Sequence, residues 1–382
     1  MTRFALYLAL AWGTLLLLAA GAPLPIVLAV GATAAYTLLP LLLFLRWRGW
    51  PFYPTAAFRL LVVRPALYAQ LLLPVGAGAG AVGLLVGAPF GHAIAFGRLA
   101  AGAALLVGAL VLVAGYLGSR SLRVRETEAR VRGLPRELDG LRIVQISDVH
   151  VGPHTPARFL ARVVRAVERL RPDVVAVTGD LVDDRHEDVD AYARILGGLR
   201  APSGVFLIPG NHDVYAGWDA VAQGLRRLTD ATILVNEAQL LSRGGAHLAL
   251  VGVGDPAGRA TAAAPDVERA LAGVPPGVPV VAFAHNPALW PRLADRGVAL
   301  TLSGHTHWGQ LALPRWGWSL ASPFLEHAMG SHRRGDSLLF VHPGTGYWGI
   351  PFRLGALPEV TAIVLRAGER SEMIVGERRC AA

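Results

Sequence analysis

The sequence predicts an N-terminal four-helix transmembrane domain (residues 1–118) followed by a C-terminal α/β domain (residues 141–382), with a basic juxtamembrane linker (119–140) between them. Three observations lead there. Four apolar runs without a charged residue fill the first part. From Leu141 on, short apolar strands alternate with helical stretches. Five of those strands are followed at once by polar residues of the kind that bind metals. A chain of 382 residues suits about two domains, and 53% hydrophobic residues is rich for a chain folded only in water.

The four runs are Phe4–Ala20, Leu24–Leu45, Pro65–Ala88 and Leu99–Leu117. Each approaches the roughly 20 residues needed to cross a bilayer core. Glycine and proline recur in them, as membrane helices tolerate. Gly76, Gly78, Gly80, Gly83 and Gly87 offer a small-residue face for close helix packing. The first run also has the pattern of a signal peptide, with Arg3 ahead of it and Ala19-Ala20-Gly21-Ala22 behind. A second spanning run follows almost at once, which favours a retained helix.

Arginine placement sets the orientation. With four crossings, one side receives Arg3, then Arg46, Arg48, Arg59 and Arg64, then Arg120, Arg123 and Arg125. The other side receives Arg98 alone. The arginine-rich side is expected to be cytoplasmic, and the C-terminal domain with it. The linker segment Arg120–Glu126 either binds anionic headgroups, at about 1 kcal/mol per basic residue, or is a plain solvated connector.

Charge is unevenly spread. Net charge is +9, yet residues 1–118 hold six Arg and no acid, while residues 143–382 carry equal numbers of Arg and acids. The α/β part therefore lacks the basic excess of a nucleic-acid binder. Spans free of charge argue against a transporter. The single cysteine, Cys380, excludes a disulfide framework and a cysteine zinc site.

In the second part, strands are predicted at 141–146, 174–178, 204–208, 232–235, 247–253, 278–284 and 298–302. Helices are predicted at about 188–199, 217–229, 265–272 and 287–296. A further helix is expected to open with Thr155 as cap and Pro156 in its first turn. Its apolar face is Phe159, Leu160, Val163, Val164, Val167 and Leu170. Alternation of this kind builds a layered α/β domain.

The polar blocks are Asp148-Val149-His150, Gly179-Asp180-Leu181-Val182-Asp183, Gly210-Asn211-His212-Asp213, His285-Asn286-Pro287 and Gly304-His305-Thr306-His307. Strand ends are where α/β sheets place their sites. Side chains two apart on extended chain point the same way, so His305 and His307 are expected to reach one point beyond the sheet. One such block is a weak signal; five in order are a strong one.

These blocks resemble those of the calcineurin-like metallophosphoesterase superfamily. The resemblance covers about residues 141–366. The tail, Gly309-Gln310 and then Gly344-Thr345-Gly346-Tyr347-Trp348-Gly349, Pro351-Phe352-Arg353 and Pro358-Glu359, is similar to a bacterial membrane-associated branch. Trp308 stands where many members have Gly, a departure that bears on the pocket's shape and not on its ligands. The resemblance implies an α/β/β/α sandwich and a centre of two divalent metals. Asp148, His150 and His307 would form one site, Asn211, His285 and His305 the other, and Asp180 would bridge them. Two such ions lower the pKa of a bound water and hold phosphoryl oxygens. Mn is favoured, with Fe, Zn and Ni also suited to these N and O donors.

By the same resemblance His212 is no ligand but faces the leaving group as general acid, with the Asp183 carboxylate orienting it. Asp213 is expected to brace the loop. His154 is read as an ordinary polar residue, though it lies close to the first block. The expected function is a membrane-anchored phosphohydrolase acting on a phosphodiester or pyrophosphate, with a lipid substrate in view and no nucleic-acid partner. A non-catalytic membrane sensor or scaffold on the same fold is the alternative, and the intact blocks disfavour it. Trp308, Trp316, Trp318 and Trp348 either meet the bilayer interface or pack a lid over the core.

Overall fold

The computed structural model describes residues 2–46, 56–152, 154–183 and 185–380; Arg48, used above for orientation, lies outside them. The chain divides into two compact units, Met1–Gly115 and Tyr116–Ala382.

The first unit is helical: Thr2–Ala19, Leu24–Arg46, Arg64–Gly87 and Ala93–Gly118, the last running on into the second unit. Among the described residues, two helical stretches, Leu60–Phe90 and Ala93–Gly118, are long and apolar enough to cross a membrane, and Leu10–Ala19 and Leu24–Leu38 are shorter apolar helical stretches. Four of the five glycines of the small-residue face, Gly76, Gly80, Gly83 and Gly87, are buried in close contacts, while Gly78 faces open space. A Cβ on Gly83 would strike the Phe96 carbonyl and Gly97, and one on Gly87 would crowd His92 and Phe96. Arg98 donates to the Leu18 and Ala20 carbonyls at 2.7 Å each, satisfying acceptors that a helix end leaves open.

In the second unit two sheets face each other. Among the described residues the strand order of one is β15 (Glu372–Cys380), β1 (Arg123–Arg132), β14 (Glu359–Gly368), β2 (Arg142–Ile146), β3 (Val174–Thr178), β4 (Val205–Ile208), β5 (Thr232–Ile233), and that of the other is β12 (Gly330–Arg334), β13 (Ser337–Val341), β9 (Leu300–Ser303), β8 (Val280–Phe283), β7 (Ala246–Gly252), β6 (Glu237–Arg243). The strands that position the site are β2 (Arg142–Ile146), β3 (Val174–Thr178), β4 (Val205–Ile208), β8 (Val280–Phe283) and β9 (Leu300–Ser303). Within each sheet these run parallel. Buried on both faces, they read as unbroken apolar runs. Between the sheets pack Ile143, Val174, Phe206, Leu250, Phe283 and Phe340. Helices Ala157–Arg169, Val189–Leu196 and Trp218–Leu228 cover the outer face of the first sheet. Val267–Leu271 and Trp290–Asp295 cover the second.

Two expectations need correction. The segment read as a linker contains β1 (Arg123–Arg132), which pairs with β14 (Glu359–Gly368) on one side and β15 (Glu372–Cys380) on the other. Arg125, Thr127, Ala129 and Val131 point inward in strict alternation. The arginines hid that period, because inward Arg125 is itself charged and is neutralised by Glu359 at 3.2 Å. Secondly, Thr155 does not cap its helix. The N-cap is Pro156 without a side-chain bond, and the Thr155 hydroxyl donates instead to the His150 carbonyl at 2.9 Å.

Candidate metal centre

All five polar blocks emerge at the C-terminal ends of the parallel strands, three from one sheet and two from the other. Hydrogen bonds lock the sheet ends together: Gln145 Nε2 donates to Ser303 O at 3.1 Å, and the His305 N–H to Asp148 Oδ1 at 2.9 Å. The glycines of the blocks permit close approach. A Cβ on Gly304 would overlap Ser147 Oγ and Asp148 Oδ2, and one on Gly210 would overlap Asp180.

The seven expected ligands converge in two adjoining groups. In the first, His150 Nε2 and His307 Nε2 face each other at 3.0 Å, and His307 Nε2 lies 3.3 Å from Asp148 Oδ1. In the second, Asn211 Oδ1 lies 2.8 Å from His305 Nδ1 and 3.2 Å from His285 Nε2. Asp180 Oδ2 reaches both groups, at 3.5 Å from His150 Nε2 and 3.2 Å from His285 Nε2. One donor atom from each of Asp148, His150, Asp180 and His307 falls within 4.8 Å of every other, and all four residues are buried. Asp148 Oδ2 is buried with no hydrogen-bond partner. A buried, unpaired carboxylate oxygen is costly, and a cation there removes the cost. The donor set therefore fits divalent metals.

His305 and His307 reach the centre differently from the expectation. They do not extend to one point. His305 joins Asn211 and His307 joins His150, because both lie in the left-handed region, at φ 69° and 49°. Asp148, His150 and Asp180 share that conformation, at φ 48–52°. Trp308 does too, at φ 50°, a backbone that suits glycine. Its indole is nonetheless buried and donates to Val341 O at 2.9 Å. Of the four tryptophans considered for an interface, Trp308 is thus a packing residue, while Trp316, Trp318 and Trp348 are exposed.

Electrostatics favour neutral imidazoles at His305 and His307 and an ionised carboxylate at Asp180, while His285 is pushed the other way. Burial, and then the neighbouring charges of His285 and Arg353 respectively, push the pKa values of His305 and His307 down. Burial disfavours the Asp180 carboxylate, but His285 and His150 outweigh it and hold its pKa far below the usual range. Burial likewise opposes charge on His285, and Asp180 raises its pKa above the usual value regardless.

His212 stands beside this cluster. Its backbone N–H donates to Asp180 Oδ1 at 2.8 Å, and its ring packs edge-on against His150. Its Nδ1 lies 2.7 Å from the Asp183 carbonyl oxygen. A carbonyl can only accept, so Nδ1 carries a proton. The orienting group is therefore the main chain of Asp183 and not its carboxylate. That carboxylate sits 3.4 Å from His150 Nδ1 and 3.6 Å from His154 Nδ1, where it can hold a ligand's ring in place. Asp213 braces the loop as expected, accepting from the N–H groups of Gly210, Leu181 and Val182 at 2.9–3.1 Å.

Two residues were missed. Arg353 is wholly buried and donates to the main-chain oxygens of His307, Pro343, Gly346 and Ala356, and to His307 Nδ1 at 2.7 Å. Burial lowers its pKa to about 9, against the charge of Asp148. A guanidinium only donates, so these bonds leave the His307 proton on Nε2, toward Asp148. No sequence signal beyond Arg353's place in the tail marks this role. Asp255 follows β7 (Ala246–Gly252) as the other blocks follow their strands, so the same strand-end argument would have found it. Its Oδ2 is buried and unpaired, and its charge acts on His285 and His305.

Comparison with known proteins agrees with this geometry. The family described as calcineurin-like phosphoesterase matches residues 141–309. An uncharacterized metallophosphoesterase, YkuE, of Bacillus subtilis is 31% identical over 276 residues, covering 71% of this chain and 95% of that one. A zebrafish (Danio rerio) protein called transmembrane protein with metallophosphoesterase domain is 34% identical over 276 residues, 69% of this chain. Its cattle (Bos taurus) counterpart is 33% identical over 281. The match spans only 62% of the length of these two vertebrate relatives.

Proposed function

Since the chain belongs to the calcineurin-like metallophosphoesterase family, we propose that it is a membrane-anchored phosphohydrolase with a dinuclear metal centre, cleaving a phosphodiester or pyrophosphate bond in a lipid substrate. One observation carries the reading: seven ligand-type side chains from five strand ends meet, with Asp180 Oδ2 within reach of both groups. Asp148, His150 and His307 would hold one ion, Asn211, His285 and His305 the other, with Asp180 shared between them. When bound, the two ions, Mn by preference, supply the positive charge that lowers the pKa of a bound water and steadies phosphoryl oxygens. An anionic bridge keeps two dications close. Amide and imidazole donors leave the centre's net charge high.

The chain's own part is positioning and proton delivery. His212, held through Nδ1–H on the Asp183 carbonyl, would in its doubly protonated form give the Nε2 proton to the leaving oxygen and revert to the neutral Nδ1–H form. Asp213 fixes the loops that carry Asp180 and Asn211. Two long apolar helices and the names of relatives support anchoring. Arginine placement supports four crossings with the catalytic unit on the cytoplasmic side.

Replacing the bridge tests the reading. Asp180→Asn is expected to lose Mn-dependent hydrolysis of bis(p-nitrophenyl) phosphate and to bind fewer than two ions per chain by elemental analysis. A variant that keeps two ions and wild-type turnover would refute the assignment.

A further inference from the structure

Exposed large apolar side chains in the second unit mostly come singly, as Leu228 and Leu240 do. Between Leu313 and Leu325 they cluster. Leu313, Trp316, Trp318, Leu320, Phe324 and Leu325 are all exposed, Trp316 at 78% and Phe324 at 81%. Solvated proteins rarely leave so much apolar surface together without a use.

The segment is a hairpin with a fixed base and an apolar tip. Strands β10 (Ala312–Leu313) and β11 (Trp318–Ser319) form their own small sheet. Ala312, Ser319 and Ala321 are buried at the base, and Ala312 N–H donates to Leu354 O. The tip satisfies much of its own main chain. Gly317 N–H donates to Pro314 O, Ser322 to Ser319 O, and Phe324 and Leu325 both to Ala321 O; Pro314 and Pro323 have no N–H to satisfy. Such a backbone can leave water at small cost. The hairpin starts five residues after His307. Gln310 ties it to the loop beside the general acid: its side chain donates to Trp348 O at 3.0 Å and accepts from Trp348 N at 3.1 Å. The Trp348 ring lies 5.9 Å from that of His212.

Charge and composition select the occupant. Arg315 is the one charged residue from Leu311 to Leu325, and no acid occurs from Gly297 to Leu325. Tryptophan with leucine and phenylalanine is the composition favoured at bilayer interfaces. A lone arginine suits anionic headgroups, and a protein partner would more often meet a rim of mixed polar groups. The chain also carries two helices apolar enough to span a bilayer, the second ending at Gly118, five residues before β1.

We propose that the 313–325 hairpin inserts its tip into the interfacial layer of a phospholipid bilayer and so presents the metal centre to phosphate esters carried by lipids. The second half of this statement rests on the phosphohydrolase reading; the first does not.

The full chain, with Cys380→Ser, is labelled with an environment-sensitive fluorophore at Trp316→Cys, Phe324→Cys or, as a control outside the hairpin, Asp230→Cys, where the native side chain is 84% exposed. Each is reconstituted at low density into phosphatidylcholine–phosphatidylglycerol vesicles with nitroxide-bearing acyl chains. Labels at 316 and 324 are expected to shift to the blue and be quenched, and the label at 230 to do neither. Quenching at 316 and 324 no greater than at 230 would overturn the proposal. So would energy transfer between labels that grows with protein density, which would assign the hairpin to a second copy of the chain.

A second arm measures rates. Trp316→Ser with Phe324→Ser should leave hydrolysis of dissolved bis(p-nitrophenyl) phosphate within about twofold. It should slow hydrolysis of hexadecyl p-nitrophenyl phosphate in vesicles by about tenfold or more, the factor that burial of one aromatic ring supplies. Equal effects on both esters would remove the role in presentation. A wild-type protein inactive toward both would count against the phosphohydrolase reading alone, and the quenching result would still decide the hairpin.

Discussion

Removing the His212 ring should separate proton delivery from metal binding. The contact that links His212 to the bridging ligand is its backbone N–H on Asp180 Oδ1, and alanine keeps it. The ring gives its Nδ1 proton to the Asp183 carbonyl and packs edge-on against His150, but supplies none of the seven candidate donor atoms. His212→Ala should therefore keep wild-type metal content. Its kcat toward an alkyl phosphodiester should fall by about 10²–10⁴-fold, the range for a positioned general acid. The p-nitrophenyl ester, whose leaving group needs little protonation, should lose less than about tenfold. Asp183→Asn makes a contrasting case. Its carbonyl stays on His212, while its carboxylate leaves His150 Nδ1, 3.4 Å away. The expected result is metal affinity lowered by about 10–100-fold, as when a ligand loses its orienting carboxylate, with the ratio of rates for the two esters unchanged at saturating metal. The assay is kcat on both esters plus metal titration for three proteins. Equal losses on both esters in His212→Ala would make His212 a phosphate binder. Loss of an ion would make it a ligand. A changed ester ratio in Asp183→Asn would return the orienting role to its carboxylate.

Two further outcomes are expected. Arg353→Met strands the main-chain oxygens of His307, Pro343, Gly346 and Ala356, and should cost about 3–5 kcal/mol. Followed by tryptophan fluorescence, the unfolding transition of the second unit should fall by about 6 °C or more, and a shift under about 1 °C would show that the tail does not depend on this side chain. For topology, a green fluorescent reporter fused after Ala382 should fluoresce and an alkaline phosphatase in the same place should stay inactive. The reverse pair of results would place the catalytic unit outside.

The convergence of the seven candidate ligands was legible because each block follows an apolar run, and the end of a parallel strand is fixed by the run itself. Strand β3 was legible to the residue. What escaped was organised by tertiary contact. The period of β1 was masked by Arg125, whose charge is paired with Glu359 from a strand more than 230 residues later. β14 carries a mostly apolar run, Val360–Leu365, like those of the predicted strands and was nonetheless passed over, while β15 is broken by charged residues. Asp183 was placed at the right residue but the wrong atom, since sequence spacing cannot say whether a carbonyl or a carboxylate turns toward His212. Arg353 escaped because its acceptors are mostly main-chain oxygens, which no residue type announces.

The ligands' backbone gives the remaining link between fold and chemistry. Asp148, His150, Asp180, His305 and His307 all have positive φ, and for residues with a Cβ such conformations cost of order 1–3 kcal/mol each. A strand continued in extended form would send Asp148 and His150 along its own axis. The left-handed turns after β9 let His305 and His307, two residues apart, face different groups, whereas Asp148 and His150 face the same one. The surrounding bonds hold these turns: Asp148 N–H on Gly179 O, His150 N–H on Asp180 O, and Arg353 on the His307 carbonyl. Five unfavourable turns gathered at one place, each braced by a neighbouring loop, keep the donors converged before any ion arrives. The cost is met in folding and not in binding, as a preformed cation site requires.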